Sequence, residues 1–156
     1  MDGVLNSFEK LTNPKLAHSE WNPKTMKEHG IQLEVFPEQI ANINRITDAT
    51  GAKIVLSSSW RIGYLADWAD VVIYLHNMGL KGFILGRTPW GSHLTRRGLE
   101  IQEWFKEHPN EKIDSFIILD DSGDMAPYLD HLIQTDYRKG LLKKHVKQAI
   151  KILGKK

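Results

Sequence analysis

Two apolar runs that end in polar residues constrain the fold of this chain more than any other feature. One predicted strand, Lys53 to Ser57, contains the run Ile54, Val55 and Leu56, and the other, Ser115 to Leu119, leads directly into Asp120. Unbroken apolar runs of this length are typical of strands that are buried on both faces of a parallel sheet. The sequence therefore predicts a parallel sheet in which these two strands end at hydroxyl or carboxyl side chains.

Segments with helical spacing alternate with the apolar runs. Helices are predicted over Glu38 to Thr50, Ala66 to Asn77, Arg97 to His108 and Leu141 to Leu153, and further strands over Gly82 to Leu85 and Leu132 to Thr135. In the first helix, Ile40, Ile43 and Ile46 fall on one side, and Gly51 is placed to end it. Strands that alternate with helices predict an α/β fold, a doubly wound, Rossmann-like parallel sheet with helices on both faces.

The chain has the size of one domain. Its 156 residues include 41% hydrophobic and 26% charged residues, which is typical of a globular protein, so we predict a single domain over residues 1–156. Residues 7–37 are polar and interrupted by prolines, which favours an irregular insertion. This insertion is too short to form a large cap domain.

Composition excludes several classes of protein. Because the chain has no cysteine, it has neither a disulfide framework nor a Cys-based zinc site. It contains no run of about 18 apolar residues that would span a bilayer and no signal peptide at its start, so we expect a cytoplasmic protein. Lysines cluster at the C-terminus, and we interpret them as a solvated helix face rather than as a polyanion-binding surface.

Three segments place carboxyl and hydroxyl groups where ligands bind in such folds. They are Asp2 to Asn6, Ser57 to Arg61, and Asp120 to Asp124. In the last segment, Asp124 is a weaker candidate than Asp120 and Asp121. In a doubly wound sheet, ligands bind at the carboxyl ends of the strands, which would bring these segments together. Two carboxylates held close repel each other by about 4 kcal/mol at an effective dielectric constant of about 20. A magnesium ion, which takes oxygen ligands, removes that cost.

A phosphate group suits the same edge of the predicted sheet. The Ser57 hydroxyl and the backbone N–H groups beside it can hold phosphate oxygens. A cation from Arg61, Arg96 or Arg97 would balance the charge of a transferring phosphoryl group. The residues therefore favour magnesium-dependent phosphate chemistry.

These segments resemble the motifs of a known family. The Asp-Gly-Val-Leu start, the apolar strand before Ser57 and the apolar strand before Asp120 and Asp121 resemble, in that order, motifs I, II and IV of the haloacid dehalogenase (HAD) superfamily of phosphohydrolases. The resemblance narrows to the HAD domain in Swiss Army Knife RNA repair proteins and covers residues 1–7 and 36–153. The segments that carry this narrower likeness are Thr50 to Arg61, Gly86 to Pro89, Arg97 to Ile101, and Thr135 to Asp136 with Gly140 to Leu141.

The resemblance implies a magnesium-dependent phosphomonoester phosphatase with a HAD-like fold and no large cap. Asp2 would donate a proton to the leaving group and contribute to the metal site. Ser57 would bind phosphate, and Arg97 would be the motif III cation. Asp121 would ligate the magnesium ion directly, and Asp120 would orient the metal site. Because the site would be open, a nucleotide or a nucleic-acid phosphate end would fit as the phosphorylated substrate.

The resemblance also implies a missing nucleophile. Motif I of the superfamily reads Asp-x-Asp-Gly, its first Asp attacks phosphorus, and Asp2 matches the second Asp. Met1 would then be the residue between them, so the nucleophile and the central first strand would precede it. We expect a chain that is cut short or a start codon misassigned at an internal Met, because few domains have the stability to lose a central strand.

Two other functions stay open. A natural short form would be a non-catalytic phosphate-binding or scaffold module that keeps Asp2 and Asp121. A nucleic-acid-binding module would use the lysine-rich C-terminus, and its affinity would fall steeply with salt.

Overall fold

The computed structural model describes residues 4–5, 35–58, 67–90 and 96–154. Four helices in this part of the chain are α1 (Pro37–Thr50), α2 (Trp68–Asn77), α3 (Arg97–Glu107) and α4 (Lys143–Leu153). The strands are β1 (Ile54–Leu56), β2 (Ile84–Arg87), β3 (Ile118–Asp120) and β4 (Leu132–Gln134), with a 3-10 turn at Leu129–His131. Strands and helices therefore alternate as the sequence predicts.

The strands pair in parallel. β1 pairs with β2, with Ile54 opposite Ile84, and β3 pairs with β4, with Asp120 opposite Gln134. Within the described residues these are two separate two-stranded sheets. The predicted α/β fold with parallel strands is confirmed.

Helix α1 begins and ends as its sequence indicates. Pro37 occupies the first turn, where the missing N–H of proline has no intrahelical partner to lose. Gly51 adopts a left-handed conformation with φ of 68° and donates its N–H to Thr47 O at 2.8 Å, which ends the helix. Ile40 and Ile46 are buried on the side that faces the core.

Helix α4 contributes its apolar face to the same hydrophobic core as α1. It packs against α1 and β4, and Val146 and Ala149 lie on its buried side. Burying apolar surface in this way stabilises the domain by about 25 cal/mol per Å² removed from water. Leu141, just before α4, is fully buried and belongs to the same core. The helix is thus fixed to the domain by its apolar face.

The segment at Val4 and Leu5 is part of this core. Both side chains are buried, and each backbone carbonyl accepts a hydrogen bond from another part of the chain. Leu141 N–H donates to Val4 O at 3.0 Å, and Phe36 N–H donates to Leu5 O at 2.9 Å. The chain that follows the predicted site residue Asp2 is therefore held between the start of α1 and the start of α4.

Two strands begin later than predicted. β3 begins at Ile118 because its partner β4 begins only at Leu132, after the 3-10 turn, so the preceding residues have no strand to pair with. β2 begins at Ile84 because its register follows β1, whose Ile54 donates its N–H to Phe83 O at 2.9 Å.

Among the described helices, none has the length and apolar character that a membrane span requires.

Candidate functional site

The end of β1 presents Ser57 and Ser58. Leu56 O accepts a hydrogen bond from Thr88 N–H at 2.9 Å, which joins the end of β1 to the chain that follows β2. Ser58 and Thr88 are buried, with 6% and 3% of their surface exposed, and Ser57 is half-buried. The end of β1 is therefore joined to the chain after β2, and Ser57 directly follows the strand, as the sequence predicts. Its role in binding phosphate stays a prediction.

The end of β3 is an ordered acidic turn. The Asp120 carboxylate accepts the N–H of Ser122 at 2.9 Å, and the Ser122 hydroxyl donates to the Asp124 carboxylate at 2.9 Å. Gln134 Nε2 donates to the carbonyl of Asp121 at 2.9 Å, which ties the turn to the end of β4. Side-chain to backbone bonds of this kind fix tight turns. The carboxyl groups of Asp120 and Asp124 are thereby held in place at the strand end.

Burial shifts the ionisation of Asp120. It raises the pKa of the Asp120 carboxyl above its ordinary value, and the Asp121 carboxylate adds to this effect. The N–H of Ser122 and the charge of Arg97 act in the opposite direction. A partly buried carboxylate beside a second one is destabilised as an anion, and a divalent cation would remove that cost. The carboxyl groups at the end of β3 are oxygen donors of the kind that magnesium prefers.

Arg97 connects the two strand ends. Its guanidinium donates to the carbonyl of Ser57 and forms an ion pair with Glu100 Oε2 at 3.3 Å. Its backbone N–H lies 3.4 Å from Asp124 Oδ2. One residue therefore spans the distance between the carboxyl end of β1 and the acidic turn after β3.

The start of α3 packs tightly against the acidic turn. Gly98 N–H donates to Asp124 O at 3.2 Å, and a Cβ on Gly98 would come within 2.0 Å of Ala126 O. Only glycine allows the two backbones to approach this closely. The Asp124 carboxylate also lies at the N-terminus of α3, where the helix dipole stabilises negative charge.

The predicted site residues divide into two groups. The structure brings Ser57, Arg97 and Asp120 to one edge, with Asp121 next in the chain, whereas Asp2 lies outside the described residues. In the described ranges, no three His, Asp or Glu side chains are arranged to hold a metal ion. Asp120 and Asp121 would therefore need a further ligand, and Asp2 stays the predicted one.

Arg61 and Arg96 are the two alternatives to Arg97 as the cation of the site. Arg61 lies outside the described residues, and Arg96 is the exposed N-cap residue of α3. Arg97, by contrast, has its guanidinium against the carbonyl of Ser57. Of these two described arginines, Arg97 is the one whose side chain reaches the end of β1.

Sequence reasoning missed the contribution of Glu100. Its side chain is 8% exposed and pairs with Arg97, so it helps to hold the guanidinium in position. The signal was present, because residues three apart on a helix face each other and an Arg–Glu pair at that spacing is favourable. Asp124, which the sequence ranks last among the acidic residues, anchors the start of α3.

At this edge the described residues can hold an anion beside a cation. Carboxyl groups follow β3, a hydroxyl follows β1, and the Arg97 guanidinium lies between the strand ends. Such a combination can bind a divalent cation and a phosphate group together.

Comparison with known protein families identifies the family of the chain. Residues 1–146 match the family model described as the HAD domain in Swiss Army Knife RNA repair proteins. No curated protein and no solved structure matches the chain. Since the family match extends over most of the sequence and includes all of the predicted site residues, the chain belongs to the HAD domain family of Swiss Army Knife RNA repair proteins.

Proposed function

We propose that this domain performs magnesium-dependent hydrolysis of phosphomonoesters, with a nucleotide or a nucleic-acid phosphate end as the substrate. Membership of a HAD family supports phosphate chemistry, and the family description associates the domain with RNA repair. The observation that carries the proposal is the contact of Arg97 with both the Ser57 carbonyl and the acidic turn. We also propose that the parallel pairs belong to one doubly wound sheet.

The proposed roles follow the chemistry of each side chain. Asp121, Asp120 and Asp2 would hold the magnesium ion, which when bound neutralises charge on the phosphate oxygens. The Ser57 hydroxyl and nearby N–H groups bind one phosphate oxygen. Arg97 places positive charge at the same edge, and Glu100 and the Ser57 carbonyl keep its guanidinium in one orientation.

The proposed reaction has two steps with balanced proton transfers. In the family pattern the first Asp of motif I attacks phosphorus, and Asp2, which matches the second Asp, gives a proton to the departing alcohol oxygen. Asp2 then removes a proton from water, which attacks the acyl phosphate and releases inorganic phosphate. The attacking carboxylate is regenerated.

Replacing Asp121 tests the proposed metal site. We expect an extended chain, with an apolar segment ending in Asp before Met1, to release phosphate from an aryl phosphate only with magnesium present. Asp121→Asn should lower that rate at least about a hundredfold, the scale seen when a charge-stabilising group is lost. Asp130→Asn, an exposed acid in the 3-10 turn, should retain the full rate and is the matched control.

The chain of 156 residues, in which Asp2 is the one carboxylate that matches motif I, provides the second control. It should release no phosphate in the same assay but should still bind orthophosphate with magnesium. Full activity in Asp121→Asn would overturn the metal assignment. Turnover by the shorter chain would mean that another residue is the nucleophile.

A further inference from the structure

The outer face of α4 is uniformly basic. Lys143, Lys144, Lys147 and Lys151 are all exposed on this helix. Residues 137–156 contain eight Lys or Arg residues and no Asp or Glu, whereas the whole chain has a net charge of only +2. The remaining residues are therefore net negative by six charges, and the positive charge is concentrated at this one end of the sequence.

These lysines do not form local ion pairs. None of the four makes an ion pair with a residue in the described part of the chain. Lys143 with Lys147, and Lys147 with Lys151, are like-charge pairs four residues apart, and each costs an isolated helix roughly 0.2–0.5 kcal/mol. Lys143 and Lys144 also occupy the first turn, where the helix dipole disfavours positive charge. The face thus carries a stability cost that no described contact offsets.

The spacing of the lysines suits an extended polyanion. Residues four apart on a helix are separated by about 6 Å along its axis, so Lys143, Lys147 and Lys151 form a line about 12 Å long. Lys144 lies beside this line. A linear polymer with regularly spaced negative charges would contact several of these ammonium groups at once.

The packing of α4 favours a nucleic-acid strand over a membrane surface. A helix that binds a membrane inserts its apolar face among the lipids. In α4 that face is already covered, because Val146 and Ala149 are buried and the helix packs against α1 and β4. Only the charged face is available, and binding by charge alone is the mode in which proteins contact a phosphodiester backbone.

The position of α4 relates this face to the acidic turn. Gln134, at the end of β4, pairs with Asp120, and the chain then leads through Leu141 into α4. Asp136 and Gly140 form a backbone bridge, so the chain between the end of β4 and Leu141 is a tight turn. The basic face therefore begins near the same edge as the candidate site.

We propose that the lysine face of α4, formed by Lys143, Lys144, Lys147 and Lys151, binds the phosphate backbone of a single-stranded RNA. The binding surface itself does not depend on the proposed phosphatase activity. Because this face begins near the acidic turn, an RNA bound to α4 would direct its phosphate end toward that turn. This second statement rests on the proposed function.

Charge removal on α4 tests the proposal. The probe is a fluorescent single-stranded RNA of about 16 nucleotides, long enough for a small basic surface. Its affinity for the 156-residue chain is measured by anisotropy over a range of salt concentrations. The triple variant combines Lys143→Gln, Lys147→Gln and Lys151→Gln. Each lost contact should weaken RNA binding about fivefold at about 0.1 M salt, so the three together should weaken it about a hundredfold. The slope of log affinity against log salt should fall by about 2.

A control variant that loses the same number of charges shows whether RNA binds to the α4 lysines or responds to the net charge of the whole chain. The control combines Lys53→Gln, Lys81→Gln and Lys112→Gln, which remove exposed lysines outside α4. Its RNA affinity should stay within about twofold of that of the parent chain, because charges away from a contact contribute little. Circular dichroism checks that both variants fold. Equal weakening in both variants, absence of RNA binding by the parent chain, or binding to phosphatidylserine vesicles in preference to RNA would each overturn the proposal. No phosphate release is measured, so failure here is distinct from failure of the proposed reaction.

Discussion

At the scale of residues, the Arg97 side chain joins two parts of the candidate site. It contacts the carbonyl of Ser57, which lies 40 residues away in sequence, and it pairs with Glu100. A guanidinium suits this position because it donates several hydrogen bonds in fixed directions, which a lysine ammonium does not. The contact between the ends of β1 and β3 therefore depends on the shape of arginine as well as on its charge.

His145 gives a residue-scale prediction about pH. Burial lowers the pKa of its imidazole below the ordinary value of 6.5, Lys144 lowers it further, and Asp136 opposes the shift. The neutral ring accepts the N–H of Leu142 at 3.1 Å, at the start of α4. Below pH 6.5 the unfolded chain binds a proton that the folded chain resists, so the unfolding free energy should fall with falling pH.

Denaturant unfolding at several pH values checks this. His145→Gln should be less stable at neutral pH and should show a smaller loss of stability between neutral and mildly acidic pH. An unchanged pH dependence in that variant would contradict the assignment.

At the scale of elements, the approach of α3 to the acidic turn depends on Gly98. In an ordinary helix, alanine in place of glycine would stabilise by about 1 kcal/mol. Here the new Cβ would lie 2.0 Å from Ala126 O and 2.5 Å from Met125 O, and backbone atoms cannot move aside cheaply. We therefore expect Gly98→Ala to destabilise the domain by about 1–3 kcal/mol, the usual cost of overpacking.

Thermal unfolding measures this cost, and Gly123→Ala is the matched control. Gly123 lies in the same acidic turn, and nothing lies within 4 Å of its added Cβ. The control should be near neutral, whereas Gly98→Ala should unfold several degrees lower, at about 2–4 °C for each kcal/mol. Equal unfolding temperatures for the two variants would show that the close packing of α3 is not required.

Most elements could be predicted from sequence because their signals are local. The periodic isoleucines and Gly51 define α1, and the structure agrees with both. The buried polar residues of α1 could not be predicted in this way. Asn42 is 1% exposed because its Nδ2 donates to Leu141 O at 2.8 Å, across 99 residues of sequence. No local pattern contains information about such a distant partner.

At the scale of the whole molecule, the sheet topology explains how far the site could be predicted. Parallel strands end at the same edge, so the apolar runs before Ser57 and Asp120 were enough to expect both residues at one site. The pairing of each strand with its neighbour, and the role of Arg97 between them, depend on tertiary packing. Asp2 is a prediction from motif order alone, because it lies outside the described residues.

The central claim is that Ser57 and Asp121, from different strands, act on one bound phosphate with magnesium. A double-mutant cycle with Ser57→Ala and Asp121→Asn, read by calorimetric titration of orthophosphate in the presence of magnesium, tests this directly. If both residues contact one bound phosphate, the two substitutions should be coupled by about 0.5–3 kcal/mol, as for groups that share a ligand. The matched cycle of Ser57→Ala with Asp130→Asn should show no coupling. Additive losses for Ser57 and Asp121 would contradict the account, because they would place the two residues in separate sites.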